Sequence, residues 1–141
     1  MRPLIFYAIS TELLTNYDFI VYNNIKKEIL HTMKRLFVHT EPFVRCWKAM
    51  GLEDDSLKLL EEELLKDPQI GDVIPGLNGA RKLRFTLNDN HGKRGGSRII
   101  YIDILQRERL YLLFAYPKSV QEDLNEEQKN TINHLIAQIK K

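Results

Sequence analysis

Between residues 34 and 141, apolar residues recur mainly at helical spacing in the first half and mainly at alternate positions in the second half. Residues 34–40 predict a short strand, because Leu36 and Val38 alternate with their neighbours. Two helices follow, over residues 41–50 and 53–67, since apolar side chains recur every three or four positions along one face. Residues 68–79 contain two prolines and three glycines and predict a loop.

The second half has the alternation of a sheet. Over residues 81–88, Leu83 and Phe85 share one face, and Lys82 and Arg84 share the other. The next two predicted strands, 97–105 and 109–117, are apolar on both sides, as in central strands covered by helices. A last helix begins at the capping residue Asn125.

This order of elements predicts an α+β domain. We expect a mostly antiparallel sheet of about four strands, with two N-terminal helices and a C-terminal helix packed on one side of it.

Residues 1–32 show no convincing periodicity of apolar side chains, and two interpretations of this segment are open. They form a native N-terminal extension, or the start codon was mis-called and the natural start is Met33. Lys27–Glu28 could be encoded by AAG-GAG, a string that resembles a ribosome-binding site. Either way, residues 33–141 are the expected domain, and the intact mass of protein expressed from its own promoter distinguishes the two interpretations.

Composition places the chain among ordinary globular proteins. Apolar residues make up 43% and charged residues 28%, with a net charge of only +2. The single cysteine, Cys46, excludes an internal disulfide and lies on an apolar helical stripe, which favours a core position. No stretch approaches the roughly 20 apolar residues that span a bilayer. A soluble cytoplasmic protein is therefore predicted, with no membrane partner.

The charges are strongly segregated despite the low net charge. Residues 53–67 carry seven acids and two lysines, whereas residues 81–98 carry six cations and the single acid Asp89. Asp89 and Asp103 are the acids that the sequence places nearest the basic strands. The expected result is a positive field over the sheet, which is typical of phosphate binding.

Four cations, three of these and Lys118, are predicted to converge on one face of the sheet. Lys82 and Arg84 stand side by side, Arg98 opens the next strand, and Lys118 closes the one after. The stretch "GKRGGSRIIY" (92–101) adds a glycine-rich basic turn, and His91 beside it is the histidine placed to act on a bound phosphate. Each cation alone is more typical of a solvated sheet edge; the clustering favours a phosphate site.

No metal-binding motif accompanies these cations, and no cofactor is predicted. RNA can be cleaved without a metal because the ribose 2′-hydroxyl is itself the nucleophile. The protein must then supply a base, cations for the pentavalent phosphorane and an acid for the leaving 5′-oxygen. Lysine, arginine and tyrosine side chains can supply all three, with neighbouring cations lowering the pKa of a lysine.

Four sequence blocks together resemble the HigB branch of the RelE/ParE toxin superfamily. They are "GDVIPGLNGARKLRF", "GKRGGSRIIY", "YLLFAYPK" and "DLNEEQK", and the resemblance covers residues 33–141. It implies a RelE-like fold and a bacterial type II toxin that cleaves mRNA in the ribosomal A site without a metal. The implied partners are the ribosome, translated mRNA and a helix-turn-helix, HigA-like antitoxin from the same operon.

The resemblance also implies roles by position. Lys82 and Arg84 fall where the family has catalytic or RNA-orienting cations, Arg98 where it has the arginine at the scissile phosphate, and Lys118 at the basic position closing the fourth strand. Further contacts to the RNA backbone are implied for Arg81, Lys93 and Arg94.

The chain departs from RelE in two places. RelE has an arginine directly after the strand-four lysine, where this chain has Ser119, and a catalytic tyrosine in its final segment, where this chain has none after Lys118. Tyr116 and Tyr101 are the available phenols, and Tyr101 also fits a core position. The general acid therefore stays open between Tyr116, Arg98 and a lysine.

Two other functions are compatible with the sequence. One is a ParE-like inhibitor of DNA gyrase, which has no evident need for converging cations. The other is a non-catalytic nucleic-acid-binding module, which would pair its cations with exposed aromatic rings for base stacking. Phe85 lies on the apolar side of its strand, which argues against the second function.

Overall fold

The computed structural model describes residues 20–25, 35–86 and 96–141 of the chain. Residues 20–25 are helical, and none of the described helices is long and apolar enough to cross a membrane. The remaining elements are β1 (Leu36–His39), α1 (Glu41–Ala49), α2 (Asp54–Lys66), β2 (Asp72–Val73), β3 (Arg81–Phe85), β4 (Ser97–Ile104), β5 (Arg109–Pro117) and α3 (Glu126–Ile139).

The strands form one mixed sheet in the order β1-β5-β4-β3-β2. β1 runs parallel to β5, and the other neighbours are antiparallel. The predicted α+β class is confirmed. The sheet has five strands rather than about four, because Asp72 and Val73 pair with Lys82 and Arg81 inside the segment predicted to be a loop. A two-residue strand is too short for its pattern to be read from sequence.

The helices cover both faces of the sheet, so the expectation that they pack on one side is wrong. On β4, Ile99 and Tyr101 belong to the core cluster with residues of α1 and α2, whereas Ile100 and Ile102 belong to the cluster with residues of α3. Successive side chains of a strand point to opposite faces. A central strand that is apolar on both sides therefore needs cover on both, and α3 supplies the second layer.

A β-bulge in β5 changes which side chains face α3. Ile100 pairs with Phe114 and Tyr101 with Leu112, so Leu113 is the extra residue. Before the bulge, Leu112 faces α1 and α2, and after it Tyr116 faces α3. The Thr40 hydroxyl donates to the Leu112 carbonyl at 2.8 Å and thereby satisfies an acceptor beside the bulge.

Local sequence signals account for the helix ends. α1 has Pro42 in its first turn, where no backbone N–H is required, and is followed by Gly51 at φ +74°. α3 begins with the predicted capping box, in which the Asn125 side chain accepts from the Gln128 backbone and the Gln128 side chain accepts from the Asn125 backbone.

Tyr101 and Cys46, for which the sequence favoured core positions, pack in the core, and Asp103 has a structural role. Tyr101 is fully buried, donates its hydroxyl to the Pro68 carbonyl at 2.9 Å and accepts from the Gly71 backbone at 3.0 Å. Cys46 packs against the core of the α1–α2 face. Asp103 pairs with Arg35, whose guanidinium nitrogens lie 2.7 and 3.1 Å from the two carboxylate oxygens.

Candidate nucleic-acid interface

Three predicted site residues form one line across the sheet. In the strand register, Arg84 of β3 pairs with Arg98 of β4, which pairs with Tyr116 of β5. Neighbouring strands are about 4.8 Å apart, so the three side chains leave the sheet next to one another. All three point to the α3 face, since Arg98 shares the face of Ile100 and Arg84 alternates with the buried Leu83 and Phe85. We call these three residues the cross-strand row.

Lys82 stands beside the row on the same face. It pairs with Ile100 in the register, one step along the face from Arg84 and Arg98. Its ammonium forms an ion pair with Asp123, with 3.0 Å between Nζ and Oδ1. The structure therefore brings Lys82, Arg84, Arg98 and Tyr116 together, and three of the four cations predicted to converge lie on this face.

Arg98 is the most buried cation of the group, with only 7% of its surface exposed. Its Nη1 lies 3.4 Å from the Ser97 carbonyl. A guanidinium keeps its charge at any physiological pH, and a charge removed from water acts more strongly on its surroundings. Arg98 therefore holds a fixed positive charge at the centre of the row.

Tyr116 is 3% exposed, and its hydroxyl donates to the Glu122 carbonyl at 3.2 Å. Burial raises the pKa of the Tyr116 phenol above its ordinary value of 10.0, the negative charge of Asp123 raises it further, and the positive charge of Arg98 opposes both. The phenol is therefore neutral at physiological pH. In that state it can give a proton or a hydrogen bond, but it is not a base.

Lys118 follows β5 at the end of the sheet where the row lies. Its backbone N–H donates to the Gly96 carbonyl at 3.1 Å, and its side chain is exposed. Gly96 has φ +63°, and a Cβ there would lie 2.5 Å from the Phe85 carbonyl oxygen. Only glycine fits this approach of β3 to β4. The last glycine of the glycine-rich stretch thus has a structural role in aligning the row.

Of the remaining predicted contacts, the structure describes Arg81, and this residue does not join the row. Arg81 pairs with Tyr101 in the register and lies on the opposite face, where its Nη1 donates to the carbonyls of Gln69 at 3.1 Å and Gly71 at 2.7 Å. These bonds anchor the loop that precedes β2. The other three, His91, Lys93 and Arg94, lie in residues 87–95, outside the described residues.

Among the described residues, the acid that contacts the site is Asp123, which sequence reasoning missed. Asp103 lies at the other end of β4 and pairs with Arg35, whereas Asp123 contacts Lys82 from 41 residues away in sequence. Asp89 is outside the described residues. Asp123 and Asp72 also line an open groove of about 490 Å³ beside Lys82, together with Leu124 and Lys129. The only sequence signal was the acid pair in "QEDL", directly before the α3 capping box.

No metal-ligating group was found in the described ranges: no three His, Cys, Asp or Glu side chains converge within residues 20–25, 35–86 and 96–141. The site that these ranges define is a line of two arginines and a neutral phenol, with a lysine at each side.

The fold of this chain is similar to those of solved structures. No protein-family model matches the chain. The chain is similar to the structure of the E. coli toxin RelE, in a double arginine-to-alanine mutant in the free state. The two share 17% sequence identity with a TM-score of 0.49, over 74% of this chain and 99% of that chain.

Proposed function

We propose that this protein is the toxin of a type II toxin–antitoxin system and an endoribonuclease that cleaves translated mRNA on the ribosome. The observation that carries the proposal is the cross-strand row, in which Arg84, Arg98 and Tyr116 meet on one face with Lys82 beside them. The four sequence blocks that resemble HigB-type toxins support it independently. The functional domain is residues 33–141, and its place of action is the cytoplasm.

The chemistry requires no group beyond the RNA and these side chains. The ribose 2′-oxygen attacks the adjacent phosphorus, the bond from phosphorus to the 5′-oxygen breaks, and the products are a 2′,3′-cyclic phosphate and a 5′-hydroxyl. The 2′-proton passes to a lysine amine, Lys82 or Lys118. Arg84 and Arg98 stabilise the charge that develops on the phosphorane oxygens, since cations aimed at such charge contribute most to the rate.

Tyr116 is the residue that we assign to the leaving group. The phenol is protonated at the pH of the cytoplasm, and Tyr116 directly neighbours Arg98 in the register. A neutral phenol can donate its proton to the departing 5′-oxygen. This assignment replaces the tyrosine that RelE has in its final segment, which the chain lacks after Lys118.

The partners follow from this activity. The row contains cations and no described side chain that reads a base, so selection of the cleavage point comes from the ribosome, which presents mRNA in its A site. A helix-turn-helix, HigA-like antitoxin is the proposed inhibitor.

The test is induction of the protein in a bacterial host, with mapping of mRNA 5′ ends with and without active translation. We expect new 5′-hydroxyl ends within translated frames, and none when initiation is blocked. Arg98→Ala is the inactive control. Blocked DNA supercoiling with intact mRNA would instead identify a gyrase inhibitor, and RNA binding without cleavage would identify a non-catalytic module.

A further inference from the structure

The segment between β5 and α3 lies over the proposed site. Residues 118–124 leave the sheet at the end of the cross-strand row and lead to Asn125, the N-cap of α3. Leu124 packs in the same core cluster as Tyr116. Because Arg98 and Tyr116 are 7% and 3% exposed, an RNA phosphate cannot contact them in this arrangement.

Three polar contacts hold this segment in place. The Asp123 carboxylate pairs with Lys82, the Glu122 carbonyl accepts from the Tyr116 hydroxyl, and Gln121 exchanges hydrogen bonds with Gln128 of α3. The first two contacts use groups that the proposed reaction requires. A carboxylate at 3.0 Å from Lys82 Nζ occupies the position, and has the charge, of a phosphate oxygen.

We propose that residues 119–124 form an acidic strap that closes the site in the absence of RNA, with Asp123 in the place on Lys82 that an RNA phosphate takes when RNA binds. The inference rests on the proposed function and concerns the regulation of that site. RNA exchanges one anion for another on Lys82, and the same displacement releases the Tyr116 hydroxyl from Glu122.

The strap is weak enough to open. The Asp123 carboxylate is largely exposed, and exposed ion pairs change an equilibrium by about two- to fivefold. An RNA strand that contacts several cations at once exceeds this, so the strap lowers affinity without abolishing it. Stray single phosphates do not displace it, whereas a positioned RNA strand does.

Asp123→Asn tests the strap, and Asp72→Asn is the matched control. Both changes remove one negative charge from the same groove, and Asp72 even pairs with Lys82 in the strand register, but only Asp123 forms the ion pair with Lys82. The probe is a short fluorescein-labelled oligouridylate with methylated 2′-hydroxyls, which cannot be cleaved. Its binding is measured by anisotropy over a range of salt concentrations, and thermal unfolding verifies that both variants fold.

For Asp123→Asn we expect binding about two- to fivefold tighter at low salt than for the unaltered protein. Because Lys82 becomes available to one more phosphate, the slope of log affinity against log salt should steepen by about 0.7. Asp72→Asn should change the affinity less and leave the slope unaltered. Equal effects of the two variants, weaker or unchanged binding by Asp123→Asn, or no detectable binding by either would overturn the strap.

The experiments can contradict the strap and the proposed function independently of each other. If the unaltered protein cleaves translated mRNA but Asp123→Asn binds the probe no more tightly, the nuclease proposal stands and the strap is wrong. If Asp123→Asn binds more tightly with the steeper slope but no mRNA is cut, the strap stands and the nuclease proposal is wrong.

Discussion

The two faces of the sheet differ in the polarity of their side chains. The face under α1 and α2 is apolar from Phe43 to Ala115, with Arg81 beside the buried Tyr101. The face under α3 is apolar around Ile100 and Ile102, then becomes basic towards Arg98 on β4 and Lys82 and Arg84 on β3. α3 packs on the apolar part of its face, and Glu122 and Asp123 contact Tyr116 and Lys82 on the basic part.

The two ends of β4 make the same contrast in charge. At one end, Asp103 and Arg35 form a pair whose side chains are 7% and 3% exposed, so each buried charge has its counter-charge. At the other end, Arg98 is 7% exposed and stands beside a second arginine, Arg84. The charges of a buried pair offset each other's loss of hydration, whereas two neighbouring arginines give the surface a positive field that attracts anions.

The largest effect is expected from a cavity on the apolar face. Leu60→Ala removes a fully buried side chain of α2 and should lower the free energy of unfolding by about 2 to 5 kcal/mol, measured by urea denaturation. Leu59→Ala, at an exposed position of the same helix, should change it by less than about 0.5 kcal/mol. Cleavage per folded molecule should stay the same in both variants. A loss of cleavage in folded Leu60→Ala would mean that the two faces are not independent.

Arg98→Ala should lower the cleavage activity and leave the fold intact. Loss of one phosphorane contact is expected to lower the cleavage rate by about 10²- to 10³-fold and to abolish growth inhibition. Circular dichroism should show an intact fold. Arg45→Ala, at an exposed position of α1 on the other face, is the control and should remain fully toxic. Undiminished toxicity of folded Arg98→Ala would contradict the central assignment of the site.

Tyr116→Phe separates proton donation from charge stabilisation within the row. If the phenol protonates the leaving 5′-oxygen, its removal should lower the rate by about 10²-fold while RNA affinity stays within about twofold. Single-turnover cleavage and oligouridylate binding measure the two quantities. A variant that cleaves at the normal rate would transfer the acid role to Arg98 or a lysine.

The smallest effect is a pH dependence shared by the two faces. Burial raises the pKa of Tyr101 on one face and of Tyr116 on the other above 10.0. The folded state then holds protons that the unfolded state releases, so the stabilisation is complete below pH 10 and is lost as the pH rises above it. Urea denaturation at increasing alkaline pH should show this decline. Tyr101→Phe should reduce the decline, and an unchanged profile would mean that Tyr101 titrates normally.

Much of the fold followed from periodicity, because burial imposes a period on the residues that need it. The period-two pattern of residues 81–85 placed Leu83 and Phe85 in the core and Lys82 and Arg84 on the other face, as observed. The capping residue Asn125 marked the start of α3 correctly. The two-residue strand β2 was missed, since its pairing with β3 depends on the neighbour and not on its own residues.

The site could be predicted in part from the same alternation. Local alternation was sufficient to place Lys82 beside Arg84, because both lie on one strand. The role of Asp123 could not be predicted, because nothing in the sequence of residues 118–124 indicates contact with a lysine 41 positions earlier. Burial of Arg98 was also unforeseen, since it depends on packing against segments that are distant in sequence.

By itself, the sequence determined which strands are buried, where the charges concentrate and which side of β3 carries them, because these follow from the side-chain period of two. Only the tertiary structure decided that Tyr116 faces Arg98. Strict alternation from Leu112 would have directed Tyr116 towards α1 and α2, and the extra residue Leu113 moves it to the α3 face. The bulge is set by the pairing of β5 with β4, and strand pairing is a property of two segments rather than of one.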